Sequence, residues 1–83
     1  MKVTQFDNKK NQFRISTDEG WYFQSYNSII IFIPRNGKTQ LDENYWNYSK
    51  TTSKYRNLFL NSTSKEIQER IKSGEYILTN LNK

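Results

Sequence analysis

The segment Tyr45-Trp46-Asn47-Tyr48-Ser49-Lys50-Thr51-Thr52-Ser53-Lys54-Tyr55-Arg56 holds most of the binding chemistry of this chain. It interleaves four large rings (Tyr45, Trp46, Tyr48, Tyr55) with three cations (Lys50, Lys54, Arg56). Rings stack on unpaired bases, for about 1–3 kcal/mol per base, while cations follow the phosphates. The same residue types anchor protein interfaces, where Trp, Tyr and Arg are enriched. A third use is internal, because a chain short of Leu and Val must pack its aromatics in the core. These seven residues are the candidate contacts with a protein partner or with nucleic acid.

Reaction chemistry has less to work with. Acid–base catalysis near neutral pH most often uses His, and the chain has none. It has no Cys, so thiol nucleophiles, disulfides and thiolate zinc sites are excluded. Asp42-Glu43 is the only acidic pair beside aromatics and could meet a magnesium ion, but a helix N-terminus uses such a pair more simply. The three glycines each serve a turn or a cap, and no Gly-rich phosphate loop is present. The expectation is a non-enzymatic protein with no catalytic residue, cofactor or metal.

The elements that must position these residues are short. Ile29-Ile30-Ile31-Phe32-Ile33 is the only continuous apolar run, and its β-branched and aromatic content favours a strand. It is far below the roughly 20 residues needed to cross a membrane. Alternation assigns Ile29, Ile31 and Ile33 to one sheet face and Ile30 and Phe32 to the other. With both faces apolar, the sheet either curls into a half-barrel or meets a second copy, so a half-barrel curl or a homodimer through the sheet is expected. Pro34 ends the run, and Asn36-Gly37 predicts a type I′ turn into an antiparallel return over residues 38–41.

Upstream, strands are expected over 1–6, 12–17 and 21–26. In the second, Phe13 and Ile15 face in and Arg14 and Ser16 face out. Trp21 and Phe23 oppose Tyr22 and Tyr26. Asn27-Ser28 reads as a turn or a bulge. Downstream, Asp42 caps a short helix through residue 48, and a second helix covers 54–60 with Tyr55, Leu58 and Phe59 on one side. Thr63-Ser64-Lys65-Glu66 fits a capping box for a third, with Ile67 and Ile71 as its stripe and Gly74 after its end. A last strand over 75–79 and a tail from Asn80 to Lys83 follow. The predicted fold is a single α+β domain over residues 1–83. It is a twisted antiparallel sheet of four to six strands with two or three short helices on one face.

Composition sets outer bounds. Thirteen aromatic residues mark a folded chain despite a mean hydropathy of −0.99. The net charge of +5 favours acidic partners or serves solubility alone. Residues 1–15 lack the apolar segment of a secretion signal, so the cytoplasm is the expected location. Abundant Asn, Lys, Ile and Tyr with no Ala point to AT-rich coding DNA.

From about Phe23 to Asn82 the chain resembles a family of small uncharacterised proteins of bacteriophages and prophages in low-GC Gram-positive bacteria. The matching pieces are Phe23-Gln24-Ser25-Tyr26-Asn27-Ser28-Ile29-Ile30, Leu41-Asp42-Glu43, Tyr45-Trp46 and Tyr48-Ser49. They continue with Thr51-Thr52, Lys54-Tyr55-Arg56-Asn57, Phe59-Leu60 and Gly74-Glu75-Tyr76-Ile77-Leu78. Where the family pattern leads one to expect an acid, this chain has Asn47. The resemblance implies a phage setting in a bacterial host's cytoplasm and brings no activity with it. Two functions follow as expectations: a protein that binds and modulates a host protein, such as an inhibitor of a CRISPR defence system, or a basic accessory protein that binds nucleic acid.

Overall fold

Alternating apolar residues and closely spaced turns organise the first half of the chain into a meander. The computed structural model describes residues 1–82. Its strands are β1 (Lys2–Gln5), β2 (Gln12–Ser16), β3 (Gly20–Ser25), β4 (Ser28–Pro34), β5 (Gln40–Asp42) and β6 (Ile77–Thr79). Helices α1 (Lys50–Leu60) and α2 (Ser64–Ser73) lie between β5 and β6 in sequence. The sheet order is the chain order, antiparallel through β5, with β6 parallel to β5. A parallel neighbour requires a crossover, and α1 and α2 supply it. The α+β class is as expected.

One face of the sheet meets both helices. Phe23, Ile30, Ile31 and Leu41 pack with Tyr55 of α1, Ile67 of α2 and Tyr76. Phe6 and Phe59 join them, with Phe6 edge-on to both Phe23 and Phe59 at 5.6 and 5.3 Å. Gly20 is required where β3 crosses Pro34. Its φ is 150°, and a Cβ there would strike the Ile33 carbonyl.

The facing of several residues in β2 and β4 differs from expectation. Phe23 pairs with Ile31 but Gln24 pairs with Ile29, so Ile30 is the extra residue of a bulge. The bulge returns Ile30 to the helix side, where it is 1% exposed, and leaves Ile29 with Phe32 on the open face. In β2, Arg14 is level with Phe23, while Phe13 and Ile15 are level with Gln24 and Tyr22. Phe13 and Ile15 therefore lie on the open face and Arg14 on the helix side. Gln12 of the same strand is fully buried with neither amide atom bonded.

Turns differ too. The β3–β4 turn is Tyr26-Asn27, closed by the Ser25–Ser28 pair, with Tyr26 at φ 55°. Asn36-Gly37 does not form a type I′ turn, because Asn36 stays out of positive φ. A five-residue loop instead sets Ile31 opposite Leu41. The tight turn would have shifted this register by one and moved Leu41, fully buried here, to the open face. Residues 43–48 form turns, not a helix, and α1 starts at Lys50 under a Ser49 cap, with Thr52 N–H donating to Ser49 Oγ at 3.1 Å. The capping box of α2 is complete, with Glu66 N–H to Thr63 Oγ1 at 3.2 Å and Thr63 N–H to Glu66 Oε1 at 2.9 Å. The tail is anchored: Asn82 accepts from Ile29 N–H at 2.7 Å and donates to its carbonyl at 2.9 Å. One side-chain amide thus acts as a strand neighbour where β5 is too short. The tail's last residue, 83, lies outside the described residues. Among the described residues no helix is long and apolar enough to cross a membrane.

Candidate interaction surface

The rings and cations singled out in the sequence are positioned by two capping side chains. The Asp42 carboxylate is fully buried. It accepts from Asn44 N–H (3.0 Å) and Tyr45 N–H (2.9 Å) on one oxygen and from Leu81 N–H (2.8 Å) on the other. This fixes the turn that carries Tyr45 and Trp46, and it occupies the carboxylate with backbone donors. Ser49 then starts α1, which carries Lys50, Lys54, Tyr55 and Arg56.

The structure divides these seven residues. Tyr55 is 6% exposed and Arg56 is fully buried, so neither side chain is presented at the surface. Trp46 is half-buried against the core. Tyr45 is half-buried, while Tyr48, Lys50 and Lys54 are exposed. Lys54 leans over the Tyr55 ring at 5.4 Å. Tyr48 is 70% exposed and meets Tyr45 edge-on at 5.5 Å.

Arg56 is inside because it ties three segments together. Nε and one terminal nitrogen donate to Asn57 Oδ1 at 3.0 and 2.8 Å. The other donates to the Trp46 carbonyl (2.7 Å) and Asn47 Oδ1 (3.2 Å), and Ser64 Oγ takes the last bond at 3.1 Å. Five donors meet five bonds, and the guanidinium lies 5.3 Å from the Trp46 ring centroid. Every acceptor is neutral. Desolvation alone moves the Arg56 pKa, downward, and an arginine stays charged regardless. Arg56 is a structural staple carrying a buried charge without a carboxylate partner among the described residues.

The exposed rings border a recess of about 310 Å³ at the start of α1. Tyr26, Tyr45 and Tyr48 line it with Asn27, Ser28, Ser49 and Thr52. Thr52 and Ser25 share a buried hydroxyl bond of 3.1 Å at its floor. Tyr26 was not among the sequence candidates. Its signal is conformational: a left-handed aromatic residue, 52% exposed, in a two-residue turn. Such a conformation costs about 1–2 kcal/mol for a residue with a Cβ, and a non-glycine residue held there marks a position worth examining for function. The surface combines rings, hydroxyls and amides with one adjacent cation, Lys50. It suits recognition. Among the described residues no group of three His, Cys, Asp or Glu side chains could hold a metal ion.

The chain belongs to a family of unknown function (DUF8033), whose model matches residues 1–75. The match takes in the β1–β2 hairpin as well as the aromatic segment. No curated protein and no solved structure matches the chain.

Proposed function

We propose that this chain is a non-enzymatic, phage-encoded interaction protein that binds and modulates a protein of a bacterial host, in its concrete form an inhibitor of a CRISPR-type defence system. The observation that supports it is the tyrosine edge. Tyr26, Tyr45 and Tyr48 stand around one recess, with Tyr26 held at a left-handed position by the two-residue turn between β3 and β4. Large rings with few rotatable bonds are the usual anchors of protein interfaces. The reading needs no cofactor and places the protein in the host cytoplasm. Self-association of two copies through the open sheet face belongs to the same reading, and sedimentation equilibrium over a range of concentrations tests it.

The experiment is phage plaquing on a host with active CRISPR interference, with and without the chain expressed. Restored plaquing, lost for Tyr48→Ala at equal soluble expression, supports the reading. Unchanged interference in every CRISPR type tried sinks the concrete form.

Nucleic-acid binding is the second reading. Lys50 and Lys54 favour it, since both are exposed one turn apart on α1 and follow Tyr48. The burial of Arg56 weakens it by removing the third cation of the segment.

A further inference from the structure

Phe59, near the end of α1, stacks on Phe23 at 5.3 Å, and Phe6 leans edge-on against both. One row further along the same face of the sheet, Lys2, Ser16, Trp21 and Ile33 are level with one another. Between the phenylalanines and this row is a cleft of about 320 Å³, lined by Phe6, Arg14, Trp21, Ile33 and Phe59. The four apolar residues are each half-buried, so each keeps some surface open to a ligand.

The rim is basic. Arg14 is exposed and lines the cleft directly. Lys2 is exposed in the row of Trp21. The Arg35 guanidinium carbon stands 5.4 Å from the centroid of the Trp21 ring. None of the three pairs with a carboxylate: the one ion pair among the described residues joins Arg70 and Glu75 at 3.4 Å. Asp18 and Glu19, in the turn before β3, meet Arg35 through their main-chain carbonyls. Asp18 accepts from its Nε at 2.8 Å and Glu19 from its backbone N–H at 3.0 Å. No carboxylate lines the cleft.

We infer that this cleft is a second binding site, which takes an acidic segment of a protein partner. One large apolar side chain of that segment sits among the rings, and its flanking carboxylates face Arg14, Lys2 and Arg35. Charge selects the occupant. The rings alone would accept any apolar group, but unpaired cations around them reward an acidic neighbour and reject a basic one. Arg14 can hold a carboxylate with two parallel bonds.

Size and spacing favour a segment over a small acid. Lys2 and Trp21 lie two strand spacings apart, roughly 10 Å, which about three extended residues span. A single carboxylate cannot answer all three cations, whereas acids on both sides of one anchor can. The volume of about 320 Å³ is at the bottom of the range of whole small-molecule sites, roughly 300–1,000 Å³, and suits one bulky side chain. The site is separate from the tyrosine edge. Trp21 and Tyr26 lie at opposite ends of β3, roughly 17 Å apart at about 3.4 Å per residue. The inference goes beyond the binding role proposed above and rests on other residues.

The test is selection of a displayed random-peptide library on the full chain, followed by fluorescence anisotropy of the enriched peptides. Those peptides should carry a Trp, Phe or Leu with acids on both sides. They should lose binding when that residue is replaced by Ala, and bind less tightly as salt rises. Arg14→Glu should weaken binding by at least about tenfold. Lys2→Glu, on the exposed edge strand β1, is a second arm and should weaken it too. Both positions are exposed, so circular dichroism should be unchanged. Tyr48→Ala should have no effect. No enrichment overturns the inference, as do enriched peptides without acids or binding that survives both charge reversals. Peptides whose binding is lost only in Tyr48→Ala would belong to the tyrosine edge and overturn it as well. Failure here leaves the plaquing test of the tyrosine edge untouched.

Discussion

Replacing Asn47 by Asp should stabilise this chain. Asn47 Oδ1 is 3.2 Å from a terminal nitrogen of Arg56, whose charge is buried among neutral acceptors. An Asp in the same rotamer keeps the bond to Arg56 and the bond from Ser53 Oγ, also 3.2 Å, and adds a negative charge. At this separation the attraction ranges from about 1 kcal/mol under full water screening to about 5 kcal/mol at an effective dielectric of about 20. Residue 47 is itself exposed, so the lower figure governs, giving a net gain of about 1 kcal/mol. In a domain of this size that raises Tm by roughly 4–8 °C. The sign with pH is fixed. Arg56 depresses the new carboxyl's pKa in the folded state, so the gain is present above the unfolded value of about 3.9 and disappears as pH falls through the folded value. Urea unfolding at pH 7 and pH 3 reads both parts. No gain at pH 7 would refute the reasoning, because neutral acceptors would then already balance the charge. A gain that persists at pH 3 would refute it equally, since it could not be ionic.

Gln12→Met should stabilise by about 1–2 kcal/mol, because it removes a fully buried amide with no bonded partner at nearly constant volume; a loss of stability in urea unfolding would mean that the amide is satisfied after all. Tyr26→Asn should gain about 0.5–1 kcal/mol by relieving the left-handed backbone and should abolish the effect on plaquing, so a variant that is both more stable and fully active contradicts the role given to Tyr26. Backbone and hydroxyl bonds from Thr63 hold the Glu66 carboxylate below its ordinary pKa. Its contribution is therefore present above the unfolded pKa and lost as pH falls through the folded one. Glu66→Gln, which keeps the acceptor, should show a smaller acid-induced fall in α2 stability by thermal melts than the wild type; an identical fall would assign the acid response elsewhere.

What could be read from the sequence was local. The capping box at Thr63 and Glu66 and the αL position of Gly74 need only a few neighbouring residues, and both are found as expected. The meander through β5 followed from alternation and turns. The errors arise where one residue or one distant contact decides. Ile30 carries the bulge, so simple alternation reads its face and that of Ile29 in reverse. Asn36-Gly37 is a strong turn signal, but burial of Leu41 sets the register instead. Arg56 looks like a surface cation in a basic, aromatic segment. Its acceptors are Trp46, Asn47, Asn57 and Ser64, and the Trp46 carbonyl and the Ser64 start of α2 come together only in the fold. Tyr26 joins Tyr45 and Tyr48 for the same reason, across a gap in sequence that no pattern spans.

The most direct test of a protein-binding role is titration of labelled single- and double-stranded oligonucleotides at low and moderate salt. The account predicts no binding even at low salt, with the +5 charge serving solubility. Micromolar binding that falls steeply with salt, and is lost in Lys50→Gln/Lys54→Gln, would contradict it and move the function to nucleic acid.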